Sequence, residues 1–258
     1  MRQLVPFVSG TYVTPTRRTT LLPSFAFYRR YYAIVYRSSR AAQQDRYGDV
    51  GWATSSYAVM QALEAAGVHF EITGVDHIER LEGPCIFIGN HMSTLETMVL
   101  PCIIEPVKDV TFVVKQSLLD YPVFGHIMRS RDPITVGRSN PREDFAVVMD
   151  GGVSRLQAGR SIIIFPQTTR TAVFDPDQFN SIGIKLAKKA GVPVIPFALK
   201  TDAWGNGNII KDFGPIDPSK AVHFEFGSPL HIQGRGVEEH QLMIQFIRDR
   251  LQKWAAGA

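Results

Sequence analysis

The stretch GNHMSTLETM, residues 89–98, sets His91 five positions ahead of Glu96, directly after the apolar run CIFI. An imidazole beside a carboxylate handles protons. The neutral ring takes one from a hydroxyl, while the carboxylate fixes the tautomer and stabilises the imidazolium that forms. On one continuous helix this spacing would hold the two side chains ~140° apart. They meet only if His91 lies in a loop and Glu96 in the first helical turn. Ser93 to Glu96, STLE, fits that geometry as a capping box, with Ser93 at the N-cap and Glu96 at the third helical position. The same fit supplies a structural alternative, in which Glu96 only satisfies the N-cap backbone and His91 is a strand-end residue bonded to main chain.

Cations occupy comparable places downstream. Lys115 closes the apolar run DVTFVVK, Arg138 closes ITVGR just ahead of a helix start at Asn140-Pro141, and Thr169 and Arg170 lie in the polar loop of FPQTTRT. Three cations and a helix N-terminus at strand ends would form an anion site suited to a phosphate. There is no HExxH, Walker loop or GxGxxG, so no metal or redox cofactor is called for. There is no GxSxG elbow and no cysteine beside His91, which favours direct transfer over a covalent intermediate.

These side chains need elements to hold them. Short apolar runs with little alternation (CIFIGN, DVTFVVK, ITVGR, SIIIFP, VPVIPFALK) are separated by helical patterns such as NPREDFAVVMDGGVSRLQAG and FNSIGIKLAKKAG. VHFEITGVDHI alternates like a strand, and VGWATSSYAVMQALEAAG reads as a helix closed by Gly67. AVHFEFGSPL is a further strand, and the last helix puts Met243, Phe246, Ile247, Leu251 and Trp254 on one core-facing stripe. The fold class is therefore α/β, a mostly parallel central sheet flanked by helices, with ligands expected outside the carboxyl ends of its strands. A chain of 258 residues with 45% apolar and 20% charged composition can bury a large core. Cys85 and Cys102 sit among apolar neighbours and read as reduced core residues of a cytosolic protein.

The net charge of +4 is a local feature. Residues 1–44 hold seven arginines and no acid; without them 21 basic residues face 24 acidic ones, a net of −3. A nucleic-acid surface is not indicated. Residues 1–48 form a basic, aromatic N-terminal segment ahead of a domain over 49–258. If Ser24 caps a helix, Phe25, Tyr28, Tyr32, Val35 and Tyr36 share a face flanked by Arg29, Arg30, Arg37 and Arg40, as in a helix lying in an anionic headgroup layer. A helix packed on its own domain, with snorkelling arginines, and an Arg-rich transit peptide are the alternatives. No run reaches the ~18 apolar residues of a membrane span.

The ordered set of strand-end residues resembles the glycerolipid acyltransferases. The family's Asn-His-x4-acid motif matches Asn90, His91 and Glu96. Its lysine-containing second region resembles Lys115, YPVFG and Arg138. Its Phe-Pro-Glu-Gly-Thr-Arg-Ser motif resembles residues 165–171, and its Val-Pro-x-x-Pro motif matches Val192, Pro193 and Pro196. Three positions depart from the pattern: Glu96 stands where Asp is usual, Gln167 replaces a glutamate, and Thr168 replaces a glycine where backbone N–H groups would approach an anion. The resemblance implies acyl transfer from an acyl-CoA or acyl carrier protein to a lysophospholipid hydroxyl, foremost 1-acylglycerol-3-phosphate, with no further cofactor. His91 and Glu96 would be catalytic, and Lys115, Arg138, Thr169 and Arg170 would bind substrate. The protein would sit peripherally on the cytoplasmic face of a membrane. The same chemistry on a lyso-aminolipid or glycolipid, and a silent lipid-binding fold, are the competing readings.

Overall fold

A computed structural model describes residues 3–15, 20–167, 169–207 and 210–256. In chain order, β1 (Tyr12–Val13), α1 (Pro23–Ala42), α2 (Asp49–Ala65), β2 (Phe70–Thr73) and α3 (Val75–Arg80) lead into β3 (Ile86–Gly89) and α4 (Leu95–Ile104). β4 (Val110–Lys115), α5 (Phe124–Arg129), β5 (Ile134–Val136), α6 (Pro141–Gln157) and β6 (Ser161–Ile164) follow. The chain then forms α7 (Ile182–Ala190), β7 (Val194–Lys200), β8 (Val222–Phe226) and α8 (Val237–Ala256).

The strands join in one sheet of order β1-β2-β8-β7-β3-β6-β4-β5. From β7 to β5 the pairs are all parallel; β8 runs antiparallel to β7 and parallel to β2, and β1 is antiparallel to β2. The expected mostly parallel α/β sheet is thus observed. Period-two alternation divides its core. Phe87 of β3 faces the layer that α1, α2 and α4 complete, whereas Ile86 and Ile88 face the layer of α6, α7 and α8. Both cysteines are free and buried, and burial pushes each thiol up to about 12.

Two local expectations change. The alternation of VHFEITGVDHI does not continue as one strand: Gly74 turns at φ +78°, where an added Cβ would lie 2.0 Å from the Phe226 carbonyl oxygen, and Val75 and Ile78 are then buried at helical spacing in α3. The first helix begins at Pro23 after Leu22, and Ser24 does not cap it; its hydroxyl accepts from Ile216 N–H instead. α1 packs on the domain through Phe27 and Tyr31, whose rings lie 4.8 and 5.3 Å from that of Trp204. Phe25, Tyr32 and Tyr36, on the expected aromatic face, are exposed. Arg2, Arg17 and Arg18 of the basic segment lie outside the described residues.

α4 carries Pro101, which lacks an N–H and interrupts the helix ladder. Ser56 of α2 repairs the break: its hydroxyl donates to the Met98 carbonyl at 2.6 Å and accepts from Cys102 N–H at 2.9 Å. A buried side chain inserted into the ladder thus ties the helix bearing Glu96 to its neighbour.

Candidate active site

β3 ends at Gly89, paired with Phe197 of β7, and an added Cβ would lie 2.2 Å from the Phe197 ring. Beyond it, Asn90 substitutes side chain for main chain. Its amide donates to the Leu199 carbonyl at 2.8 Å and accepts from Leu199 N–H at 2.9 Å. That two-point pin fixes where His91 leaves the sheet.

His91 stacks on Phe165, with ring centroids 4.3 Å apart and planes at 18°. Its Nδ1 lies 2.8 Å from Glu96 Oε1. Glu96 is fully buried, and the same Oε1 accepts from the N–H groups of Met92 and Ser93 at 2.6 and 2.8 Å. Oε2 accepts from the hydroxyls of Ser93 at 2.9 Å and Thr201 at 2.6 Å. Burial opposes the charge, but the contact with His91 and the hydroxyl and backbone donors outweigh it and hold the carboxyl below its ordinary value. One side chain therefore makes both sets of contacts: Glu96 accepts from Ser93 N–H, as in a capping box, and lies against the imidazole of His91. The helix N-cap itself is Thr94, one residue later than expected, and Ser93 Oγ accepts from Leu95 N–H at 3.1 Å.

The glutamine of FPQTTRT joins this loop to His91. Gln167 is buried, accepts from His91 N–H at 2.8 Å and donates to Thr171 Oγ1 at 2.7 Å; Thr171 N–H in turn donates to the His91 carbonyl at 3.0 Å. An amide serves here because each bond needs either an acceptor or a donor and neither needs a charge. Thr168 lies outside the described residues. Thr169 is exposed.

Arg170 reaches the N-terminus of α4. One guanidinium nitrogen lies 2.7 Å from Asp212 Oδ1 and the other donates to Thr94 Oγ1, which is itself 3.4 Å from Asp212 Oδ1. The remaining two cations stand further along the same sheet edge. Lys115 ends β4, two strands from β3, and Arg138 follows β5, three strands away, so they lie roughly 10 and 14 Å along the edge by strand spacing. Both are exposed. Arg138 adopts φ +62°, and its N–H and that of Gly137 each donate to Asp144 at 2.8 Å. At the helix start beside Arg138, expected as part of an anion site, Asn140 Oδ1 caps the helix by accepting from Arg142 N–H at 3.1 Å.

Sequence patterns did not flag Thr201 or Asp212. Thr201 follows β7, whose carboxyl end shares the edge with that of β3, so strand order was the signal for it. Asp212, in an irregular connection, had none. Among the described residues one carboxylate group has metal-like spacing: Asp49, Glu105 and Asp109 offer oxygens within 4.8 Å of one another. Arg131 lies 2.6 Å from Asp49 and 3.8 Å from Glu105, so a guanidinium already occupies the cation's place, at the amino end of β4 and away from His91.

The family model described as Acyltransferase matches residues 69–200, just over half of the chain. The 1-acyl-sn-glycerol-3-phosphate acyltransferase of Pseudomonas aeruginosa is 29% identical over 201 residues, covering 78% of this chain and 72% of that protein. The enzyme of the same name from Borreliella burgdorferi is 26% identical over 204 residues, covering 77% and 78%. The fold is shared with the crystal structure of the 1-acyl-sn-glycerophosphate acyltransferase PlsC from Thermotoga maritima, at a TM-score of 0.63 and 19% identity over 91% of this chain and 95% of that one. The family match spans every strand end that bears His91, Glu96, Lys115, Arg138 and Arg170. It stops short of Thr201 and Asp212. On this match, the chain belongs to the glycerolipid acyltransferase family and is an acyltransferase.

Proposed function

We propose that the enzyme transfers an acyl chain from an acyl thioester, acyl-CoA or acyl carrier protein, to the free hydroxyl of a lysophospholipid, foremost 1-acylglycerol-3-phosphate. One observation carries the mechanism: His91 Nδ1 faces a fully buried carboxylate whose two oxygens accept four further hydrogen bonds. With its proton on Nδ1, the ring keeps a lone pair on Nε2 for the acceptor hydroxyl. As Nε2 takes that proton, the oxygen attacks the thioester carbonyl. The tetrahedral intermediate then expels the thiolate, which is protonated by the imidazolium. Glu96 stabilises the imidazolium while it lasts, and the rigid loop keeps the pair aligned without reorganisation.

Arg170 donates to Thr94 at the N-terminus of α4, three residues after His91, and the acceptor phosphate is assigned to it. Lys115 and Arg138, further along the edge, are assigned to the outer part of the bound substrates, with Thr169 at the loop surface. The exposed Phe25, Tyr32 and Tyr36 of α1, with Arg29, Arg30 and Arg37 on the same helix, support peripheral docking on an anionic membrane surface, which we assign to the cytoplasmic face. Among the described residues no helix is long and apolar enough to cross a membrane.

The test is product formation from palmitoyl-CoA and from palmitoyl carrier protein with a panel of acceptors: 1-acylglycerol-3-phosphate, a lyso-aminolipid and a lysoglycolipid. The phosphorylated acceptor is expected to give the highest kcat/KM, and Arg170→Ala to reduce it roughly 10–100-fold with the larger share in KM. Preference for either of the other acceptors, or an unchanged kcat/KM in Arg170→Ala, would overturn the phosphate assignment.

A further inference from the structure

We propose that Asp212 is an internal counter-anion that occupies the acceptor phosphate's place on Arg170, so that acceptor binding is an exchange of one anion for another. This rests on the assignment of Arg170 to the phosphate. The position held by Asp212 Oδ1 has the features of an anion slot: a guanidinium nitrogen at 2.7 Å, the Thr94 hydroxyl at 3.4 Å, and the N-terminus of a ten-residue helix. Thr94 lies three residues after His91, so the slot adjoins the proton-transfer pair.

The carboxylate is presented there by its own connections. The Phe213 ring packs 5.9 Å from that of Tyr32 and 6.2 Å from that of Tyr28. Tyr28 Oη donates to the Gly214 carbonyl at 2.5 Å, and Ile216 N–H donates to Ser24 Oγ at 3.0 Å. α1 therefore holds the chain that follows Asp212, so the proposed exchange calls for rotation of the carboxylate side chain alone.

The exchange has a consequence for specificity. A phosphate carries a charge of about −1.5 to −2 at neutral pH and three acceptor oxygens, so it competes with a single carboxylate for the guanidinium. An uncharged acceptor such as a monoacylglycerol does not, and meets an Arg170 already neutralised. Asp212 thereby acts as a specificity-determining residue that screens acceptors by charge.

The experiment measures KM for 1-acylglycerol-3-phosphate in wild type, Asp212→Asn and Asp212→Glu. Alongside it, glycerol 3-phosphate is titrated by thermal shift in the same proteins and in the Asp212→Asn/Arg170→Ala double variant. Removing the internal anion is expected to lower KM and to tighten glycerol 3-phosphate binding, each by roughly five- to tenfold. Asp212→Glu should restore wild-type values, and the double variant should lose the gain. A KM that is unchanged or raised in Asp212→Asn, with no tightening of glycerol 3-phosphate, would mean that Asp212 only positions Arg170 and would overturn the proposal. If no protein turns over the phosphorylated acceptor, the acceptor assignment fails separately. The titration still decides the present proposal, with equal binding in wild type and Asp212→Asn counting against it. Asp212→Ser serves the same comparison if the asparagine variant does not fold.

Discussion

Glu96 shows how much of this site lies within a single side chain. Its five donors come from His91, Met92, Ser93 twice and Thr201, and the last is 105 positions away in sequence. The local donors were legible because a capping box is a local pattern. Thr201 and Asp212 were not, since a partnership across the sheet leaves no spacing to read. A second buried acid, Glu105, tests how burial and pairing compete here. Burial raises its pKa from 4.5 to about 8, and Arg131, shared with Asp49, only partly opposes this. Because the folded value is the higher one, stability from the neutral acid is fully present below the ordinary glutamate range and is lost as pH rises through about 8. Glu105→Gln should therefore flatten the pH dependence of Tm between about pH 5 and pH 8, gaining roughly 2–4 °C over wild type at the alkaline end per kcal/mol recovered. Calorimetry at the two pH values measures it. A parallel pH profile in the variant would show that Glu105 is ionised throughout.

At the scale of elements, strand ends position the chemistry and small residues allow the ends to approach. Gly89 has no room for a side chain against Phe197, and the Asn90 pin follows directly from that close approach. Gly89→Ala should destabilise the protein by about 1–3 kcal/mol through overpacking and lower kcat by shifting the His91 loop; urea unfolding and turnover measure the two effects. Wild-type stability with wild-type kcat would show that the approach of β3 to β7 is dispensable. The parallel strands were legible in sequence because each is a short apolar run ended by a polar residue. α3 was not, since strand-like alternation in VHFEITGVDHI hid the turn at Gly74, which only the close approach of Phe226 explains. α4 was legible as a helix despite Pro101, although the Ser56 bridge that completes it depends on tertiary packing.

For the whole molecule, α1 has two faces. It is anchored on Trp204 through Phe27 and Tyr31, and it exposes Phe25, Tyr32 and Tyr36. Arg29, Arg30 and Arg37 line a cavity of about 330 Å³ against Ala58, Gln61 and Ala62 of α2. The amphipathic pattern was legible, but its burial was not, because the sequence does not say which aromatic stripe finds a partner. Replacing Phe25 and Tyr32 together by serine should weaken binding to anionic vesicles roughly tenfold or more, and high salt should weaken the wild type through the arginines. Vesicle co-sedimentation measures both, and undiminished binding by the double variant would move the docking surface elsewhere.

The central claim is that His91, held by Glu96, is the base of acyl transfer. Its most direct test is thiol release from palmitoyl-CoA with and without 1-acylglycerol-3-phosphate, wild type beside His91→Ala. Acceptor-dependent release by the wild type, reduced about 10²- to 10⁴-fold in a folded His91→Ala protein, is the predicted result. Acceptor-dependent release that survives the substitution within a few-fold would contradict it.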